Sequence, residues 1–162
     1  MELVIATRNK KKLVEIKYML KDLNLKMTSL DDYDDLPEIE EDGLTFEENA
    51  IKKAATIAQF LKKLTLGEDS GLEVKALDSR PGVLSARYSG KNADDKKNNK
   101  KLLKDLKGLP LKKRQARYIC CVALSSAKGF IDVARGSCRG SISLKEKGNA
   151  GFGYDPLFLI PK

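Results

Sequence analysis

The sequence predicts an α/β fold in which helices flank a mixed β-sheet. Two observations support this class: apolar residues recur at helical spacing in the first half of the chain, and several strand-like runs follow in the second half. No low-complexity linker or internal repeat divides the 162 residues, and this length suits one domain with a substantial core. We therefore expect a single α/β domain over residues 1–162.

The chain is expected to begin with a strand followed by a helix. Residues 3–6 form a continuous apolar run, which is typical of a buried strand. Asn9 is a plausible N-cap for the helix that follows. The apolar face of this helix is predicted from the spacing of Leu13, Ile16, Leu20 and Leu23.

The next predicted elements surround an acidic segment. Residues 26–30 are a possible second strand, and the acidic stretch 31–42 follows them. Thr45 and Glu48 have the spacing of a capping box, with threonine at the N-cap and glutamate at N3. The helix behind them should run to about Lys63, and its apolar face contains Ala50, Ile51, Ala54, Ala55, Ala58 and Leu61.

Turns and strands dominate the rest of the chain. A short strand at 64–66 should end in a polar turn at 67–71, and a second turn is expected at 80–82. Residues 92–107 have a helical pattern that ends at a glycine and a proline. Further strands are predicted at 117–124, 129–134, 141–144 and 157–160, the last one after a glycine-rich loop at 148–156.

The composition restricts the chemistry available to this chain. The net charge of +8 suggests an anionic partner, but it does not choose between nucleic acid, nucleotide and membrane surface. The chain contains no histidine, which excludes Ser-His-Asp triads, histidine zinc sites and histidine general bases. Any catalysis must therefore use carboxylates, lysines and hydroxyls, with a hard metal ion where one is bound.

Cysteine content and hydropathy indicate the compartment. Cys120, Cys121 and Cys138 are odd in number and have no C-x-x-C spacing, which argues against a disulfide framework. The apolar runs are too short to cross a bilayer, and no signal-peptide pattern opens the chain. We expect a cytoplasmic protein with no membrane partner.

Three consecutive lysines, Lys10, Lys11 and Lys12, occupy the first turn of the first predicted helix. Cations are unfavourable there because the helix dipole is positive at that end. A bound polyphosphate would relieve the conflict, since the helix N–H groups and the lysines would face one anion. A solvated lysine face, at a cost of ~0.3–1 kcal/mol per residue, is supported about equally. The chain has no G-x-x-x-x-G-K-[ST] motif, so this is not a P-loop.

Acidic residues provide candidate metal ligands at two places. Asp69 follows the predicted strand at 64–66, at a sheet end where α/β proteins usually build sites. With Ser70 and Gly71 it could hold a divalent ion and position a water, although an Asx-turn is the simpler interpretation of this segment alone. The acidic run at 40–42 could also supply metal-binding oxygens, yet such runs are usually solvated surface.

Other candidate features have simpler structural interpretations. Lys52 and Lys53 are expected opposite the alanine face of their helix. The lysine-rich segments 96–101 and 112–114 are most simply solubilising surface, because a nucleic-acid groove would interleave aromatic residues with such charge. Phe152 could stack on a base, but its loop alone is just a turn with hydrophobic anchors.

Taken together in order, the motifs resemble those of the inosine/xanthosine triphosphate pyrophosphatase family, which removes non-standard purine nucleotides from the cell. The matching stretches are ATRNKKK at 6–12, GLTFEENA at 43–50, DSGL at 69–72, PGVLSARYSG at 81–90, QARY at 115–118 and GFGYDP at 151–156. They span nearly the whole chain at the family's spacing. SARYSG and FGYD are the most specific of them.

The resemblance implies a three-layer α/β fold with two lobes around a mixed sheet and a central active-site cleft. It also implies a homodimer, a Mg²⁺ requirement, and hydrolysis of ITP, dITP and XTP to the monophosphate and pyrophosphate. The expected partner is the nucleoside triphosphate and not a nucleic acid. The alternative from another class is a non-catalytic nucleotide- or RNA-binding module, which the positive net charge would also suit.

The resemblance also implies roles for individual residues. Asp69 matches the proton acceptor, and Glu41 and Asp69 match the metal-binding carboxylates. Thr7, Asn9 and Lys12 match residues that hold the triphosphate, with Lys53 nearby, and residues 152–155 match the loop that receives the base. The full set predicted to bind substrate is Thr7, Arg8, Asn9, Lys10, Lys11, Lys12, Lys53, Ser70, Phe152, Gly153, Tyr154 and Asp155.

The chain departs from the family pattern at two places. Arg8 stands where many members have glycine, which should be tolerated if its side chain turns outward. The chain ends at Lys162, whereas members continue for a few dozen residues that include a lysine and a Ser-His-Arg motif for reading the purine 6-oxo group. We expect the base pocket to be incomplete in this chain, either because a tail lies outside it or because the protein lacks one.

Overall fold

The computed structural model describes residues 1–148 and 151–161, and it confirms the predicted α/β class. Six strands form one mixed sheet in the described part of the chain. The α-helices are α1 (Lys10–Met19), α2 (Phe46–Leu61) and α3 (Asp95–Asp105), and the strands are β1 (Glu2–Ala6), β2 (Lys26–Ser29), β3 (Thr65–Val74), β4 (Gln115–Ser126), β5 (Gly129–Ile142) and β6 (Phe158–Leu159). None of the helices in these residues has both the length and the apolar composition that a membrane span needs.

The sheet has parallel pairing at one end and antiparallel pairing at the other. Its strand order is β2-β1-β3-β4-β5-β6, with β1 parallel to both β2 and β3, and β5 antiparallel to β6. Strands β4 and β5 are neighbours joined by only two residues, so they form an antiparallel hairpin. The apolar run of β1 is almost fully buried, as expected for a strand that has a parallel neighbour on each side.

The chain divides into two compact units, each with its own core. The first unit contains Met1–Asp69 and Cys121–Arg135, and the second contains Ser70–Cys120 and Gly136–Lys162. A core cluster of the first unit is formed by Val4, Ala6, Leu30 and Ile57. The core cluster of the second unit is formed by Leu72, Val74, Leu77, Leu102, Leu106, Ala116, Ile142, Tyr154 and Leu157.

Both predicted N-caps are present. The Asn9 side chain accepts hydrogen bonds from the backbone N–H groups of Lys11 (3.0 Å) and Lys12 (3.3 Å) at the start of α1. Thr45 caps α2 by accepting from Glu48 N at 3.1 Å. The predicted length of α1 is wrong, since the helix ends at Met19 and only Ile16 on its predicted face is buried.

The predicted polar turn at 67–71 is also wrong, because β3 runs straight through it. The structure buries Gly67 and Gly71 within the strand, where a side chain would have no room. A Cβ atom on Gly67 would collide with the backbone of Ala50 and Ala54 in α2, and one on Gly71 would collide with Ser85. Glycine inside a strand marks a close approach of this kind, and here it lets α2 lie directly against β3.

Two other predictions are corrected in the second half of the chain. The segment at 129–134 and the first two residues of the segment at 141–144 belong to one strand, β5, which ends at Ile142. The middle of this strand is exposed and contains two glycines and two arginines that suggest a loop. Helix α3 begins at Asp95, after the N-cap Asp94, rather than at residue 92. Asn98 and Asn99 in the supposed solubilising segment are buried, so the surface interpretation is wrong for these two residues.

Candidate active site

The parallel pairing of β1 and β3 brings the start of α1 next to two carboxylates. Ala6, the last residue of β1, is opposite Gly67, so the turn at 7–9 lies at the position along the sheet where β3 continues into Glu68. The Lys12 ammonium reaches Glu68 Oε2 at 2.9 Å and Oε1 at 3.1 Å. Carboxyl ends of parallel strands are the usual place for sites in open α/β sheets.

The three lysines of the first α1 turn have different environments. Lys12 is turned inward to Glu68 and its side chain is only 20% exposed, whereas Lys10 and Lys11 are exposed, as is Arg8. In the preceding turn, Thr7 is half-buried and its hydroxyl accepts from Asn9 N at 3.1 Å. Simple solvation therefore does not describe Lys12, whose ammonium is paired with a buried carboxylate.

Asp69 is held in place by two donors from α2. Its carboxylate accepts from Asn49 Nδ2 at 3.0 Å and from Lys53 Nζ at 3.3 Å. Asn49 and Lys53 are four residues apart and share one helix face. This face lies directly against β3 because Gly67 has no side chain to separate the helix from the strand. The Asx-turn interpretation is wrong because Asp69 lies within β3, and its carboxylate, only 6% exposed, is a buried, oriented group.

Glu41 joins the same cluster through Lys53. The Lys53 ammonium contacts Glu41 Oε1 at 2.9 Å, and Asn49 Oδ1 accepts from Gly43 N at 2.8 Å, so the end of the acidic stretch is tied to α2. Glu41 is half-buried, whereas Glu40 is exposed. Of the two neighbouring glutamates, the structure therefore brings Glu41 to Asp69 and Lys53.

The cluster has an unusual electrostatic balance. Burial raises the pKa of the Asp69 carboxyl above its ordinary value, and the nearby Glu41 charge adds to this effect. Lys53 and the hydrogen bond from Asn49 act in the opposite direction. Because a carboxylate with a raised pKa is a stronger proton acceptor than a solvated one, Asp69 is suited to accept a proton.

The donor set of this cluster fits a magnesium ion. Lys53 Nζ contacts both Glu41 Oε1 and Asp69 Oδ1, so these two carboxylates already converge on one cation. Mg²⁺ prefers oxygen ligands and is usually held by one or two carboxylates together with waters and substrate phosphates. Residues 1–148 and 151–161 contain no group of three or more acidic or cysteine side chains that could hold a metal ion by themselves.

The remaining predicted site residues, from Ser70 onward, lie in the second unit. Ser70 is half-buried in β3 directly after Asp69. In the glycine-rich loop, Asp155 accepts from Phe152 N at 3.0 Å and from the Tyr118 hydroxyl at 3.1 Å. Gly151 and Gly153 adopt left-handed conformations with φ of 81° and 59°. Residues 149 and 150 of the predicted loop lie outside the described residues.

The two aromatic residues of this loop differ in their surroundings. Tyr154 is 4% exposed, belongs to the core of the second unit, and donates to the Ser85 carbonyl at 2.8 Å. Burial raises the pKa of its hydroxyl. Phe152 is half-buried. The Tyr154 side chain therefore anchors the loop, and Phe152 is the aromatic side chain of the loop with exposed surface.

Sequence reasoning did not identify Asn49 and Glu68 as site residues. Asn49 precedes Ala50 on the buried face of α2, and a polar residue on an apolar helix face is a signal that could have revealed it. The predicted turn at 67–71 includes Glu68, and nothing nearby in the sequence indicates its partner, Lys12. Its role as a buried partner emerges only from the pairing of β1 with β3.

The fold and this cluster define a class: an α/β protein with a carboxylate–lysine site where β1 ends beside the middle of its parallel neighbour β3. The chain belongs to the Ham1 family, whose model matches residues 3–162. The resemblance indicated by the motifs is thereby confirmed.

Individual relatives support the same assignment. A dITP/XTP pyrophosphatase from Desulforamulus reducens is 48% identical over 162 residues, covering 100% of this chain and 81% of the relative. One from Geobacter sulfurreducens is 51% identical over 98% of this chain and 79% of the relative. Among solved structures, the Staphylococcus aureus Ham1 protein matches with a TM-score of 0.87 and 38% identity, covering 99% of this chain and 82% of that protein.

Proposed function

We propose that this chain hydrolyses non-canonical purine nucleoside triphosphates, namely ITP, dITP and XTP, to the nucleoside monophosphate and pyrophosphate. The observation that carries the proposal is the buried Asp69 carboxylate, oriented by Asn49 and Lys53 beside Lys12 and Glu68. Similarity to proteins named dITP/XTP pyrophosphatase over nearly the whole chain supports the substrate class.

The triphosphate is assigned to the first unit. Lys12 and Lys53 supply positive charge beside the carboxylates, and Thr7, Asn9 and the exposed lysines of α1 surround the helix start. A triphosphate repels an incoming nucleophile until its oxygens are neutralised, which is the main catalytic requirement in phosphoryl chemistry. In this proposal the negative charge of the bound triphosphate compensates for the unfavourable interaction between the lysines of the first α1 turn and the positive end of the helix dipole.

Glu41 and Asp69 would hold the magnesium ion. When bound, Mg²⁺ supplies neutralisation of phosphate charge and a water that loses its proton more readily. Asp69 orients the attacking water and accepts its proton while Asn49 keeps the carboxylate in position. The water oxygen forms a bond to the α-phosphorus while the bond from that phosphorus to the α–β bridging oxygen breaks, and pyrophosphate leaves with the bridging oxygen.

The base is assigned to the loop at 152–155. Phe152 offers a ring for stacking, while Gly153, Tyr154 and Asp155 shape the backbone that supports it. Ser70 is assigned to the substrate because it follows Asp69 directly. We also propose that both units belong to one domain. The protein is expected to form a homodimer in the cytoplasm and to have no nucleic-acid partner.

The test is a phosphate-release assay with added inorganic pyrophosphatase across ITP, dITP, XTP, ATP and GTP. We expect Mg²⁺-dependent signal from the first three nucleotides and little from ATP or GTP. Orthophosphate release without the coupling enzyme would instead indicate cleavage at the terminal phosphate. No turnover of any nucleotide, together with RNA binding that weakens steeply with salt, would favour the RNA-binding alternative.

A further inference from the structure

Two side chains of α3 hold opposite sides of a single glycine in the loop at 151–155. Asp95 Oδ2 accepts a hydrogen bond from Gly153 N at 2.9 Å, and Asn99 Nδ2 donates to Gly153 O at 3.1 Å. Asp95 and Asn99 are four residues apart, so they lie on the same face of the helix. Together they fix both peptide groups that flank the Gly153 Cα atom.

This pair of contacts determines the path of the loop next to Phe152. Gly153 has a φ of +59°, and a Cβ atom added there would have no neighbour within 4 Å, so crowding does not restrict this residue, whereas its two hydrogen bonds do. The N–H of Phe152 is held separately by Asp155 at 3.0 Å. The direction in which the Phe152 ring projects therefore depends on the contacts from α3 as well as on contacts within the loop and on the buried Tyr154 side chain.

The environment of Asn99 indicates that its amide donor is the important group. The residue is 3% exposed, and among the described residues its Oδ1 atom has no hydrogen-bond partner. A buried amide oxygen without a partner is unfavourable, and an apolar side chain would fill the space without that penalty. The contribution that distinguishes Asn99 from an apolar residue is therefore the hydrogen bond to Gly153 O.

We propose that Asp95 and Asn99 are positioning residues that orient the loop and Phe152 toward the purine base. The inference rests on the proposed function, and it adds a prediction of its own: this pair sets the affinity for the base and leaves the affinity for the triphosphate unchanged. The residues assigned to the triphosphate and the metal lie in the first unit, whereas Asp95, Asn99 and Gly153 all lie in the second.

The test uses Asn99→Asp, which preserves size but replaces the donor with a carboxylate facing the Gly153 carbonyl. We expect KM for ITP to rise at least about tenfold, as for the loss of a stacked base, with kcat changed by less than about threefold. Inhibition by inorganic tripolyphosphate, which has no base, should remain as in the unaltered chain. Asp95→Ala should also raise KM, whereas Asp95→Asn keeps an acceptor for Gly153 N and should restore most of the affinity.

A matched control separates loop positioning from general damage to α3. Asp94 caps the helix by accepting from Lys97 N at 2.8 Å and has no hydrogen bond to Gly153. Asp94→Ala should lower the thermal stability of the chain but leave KM for ITP unchanged. If Asn99→Asp does not fold, Asp95→Ala still tests the inference, because Asp95 is an exposed position.

Each outcome is decisive. An unchanged KM for ITP in a folded Asn99→Asp or Asp95→Ala variant would overturn the inference while leaving the proposed function intact. Parallel loss of ITP and tripolyphosphate binding would also overturn it, because that pattern reports general damage. If the unaltered chain releases no pyrophosphate from any nucleotide, the proposed function fails and the inference fails with it.

Discussion

The two units hold their candidate site residues by different kinds of interaction. In the first unit, charged side chains hold one another: Lys53 contacts Glu41 and Asp69, and Lys12 contacts Glu68. In the second unit, polar side chains hold the backbone of a loop, as Asp95, Asn99 and Asp155 do at residues 152 and 153.

This difference indicates which property each region controls. A cluster of buried opposite charges is sensitive to the loss of any one charge, because the remaining partners stay buried without compensation. A loop held through its backbone can shift when one anchor is removed, and the expected result is weaker binding rather than loss of chemistry. Mutations in the first unit should therefore affect turnover and folding, and those in the second should affect affinity.

The largest expected effect is that of Lys53→Met on stability. The variant leaves the Asp69 and Glu41 carboxylates without their shared ammonium, and removing one partner of a buried pair costs about 3–5 kcal/mol. Urea unfolding followed by circular dichroism measures the change. Lys52→Met is the matched control, since the adjacent Lys52 pairs with exposed Asp42 and should matter little. Equal effects of the two variants would contradict the importance of the cluster.

Asp69→Asn tests the chemical role of the carboxylate directly. The amide keeps the size of the side chain but cannot accept a proton from water, so we expect at least ~100-fold lower turnover of ITP with an intact fold. Raising Mg²⁺ should restore little, because filling the metal site does not replace the proton acceptor. Asp22→Asn, at an exposed position of the same unit, is the control. Near-normal turnover by Asp69→Asn would make Glu41 or Glu68 the next candidate.

Phe152→Ala should weaken binding rather than chemistry. Loss of a ring stacked on a base is worth roughly 1–3 kcal/mol, which should appear as a higher KM for ITP. Affinity for tripolyphosphate should not change. Phe130→Ala removes a half-exposed ring from β5 and serves as the control. If Phe152→Ala binds ITP as the unaltered chain does, the base lies elsewhere.

The smallest expected effect concerns alkaline stability in the second unit. Burial and the hydrogen bond to Asp105 raise the pKa of Tyr88 to about 12, from an ordinary value of 10.0. The folded chain therefore keeps a proton that the unfolded chain loses, so this stabilisation is complete below pH 10.0 and declines as the pH approaches about 12. Tyr88→Phe should show a smaller loss of stability between about pH 9 and about pH 11 in urea unfolding. An identical decline in both chains would contradict this contribution.

Local sequence signals predicted the parts of the fold that depend on local interactions. Asn9 and Thr45 cap the helices where their positions indicated, and the apolar run at 3–6 forms a buried strand. These features depend on contacts within a few residues or on uniform apolarity, both of which are visible in one short window of sequence.

The errors arose where distant residues decide the structure. The segment 67–71 contains turn-forming residues, but Lys12, Asn49 and Lys53 supply partners that keep Glu68 and Asp69 buried within a strand. The middle of β5 is polar and exposed, so its strand conformation depends on pairing with the neighbouring strands rather than on burial of its side chains. Asn99 lies in a lysine-rich segment that resembles solvated surface, and its hydrogen-bond partner is Gly153, which is distant in the sequence.

The closeness of α2 to β3 at Gly67 has a consequence for which mutations the chain can tolerate. A single added methyl group would act as a wedge between the helix and the sheet, because the Ala50 carbonyl and the Ala54 amide occupy the space that it needs. The displacement of α2 from β3 would move Asn49 and Lys53 away from Asp69 without altering any charged atom. Alanine, the smallest possible replacement, is therefore expected to be harmful here, so mutational tolerance in this region follows the spacing of backbones more closely than distance from the reacting groups.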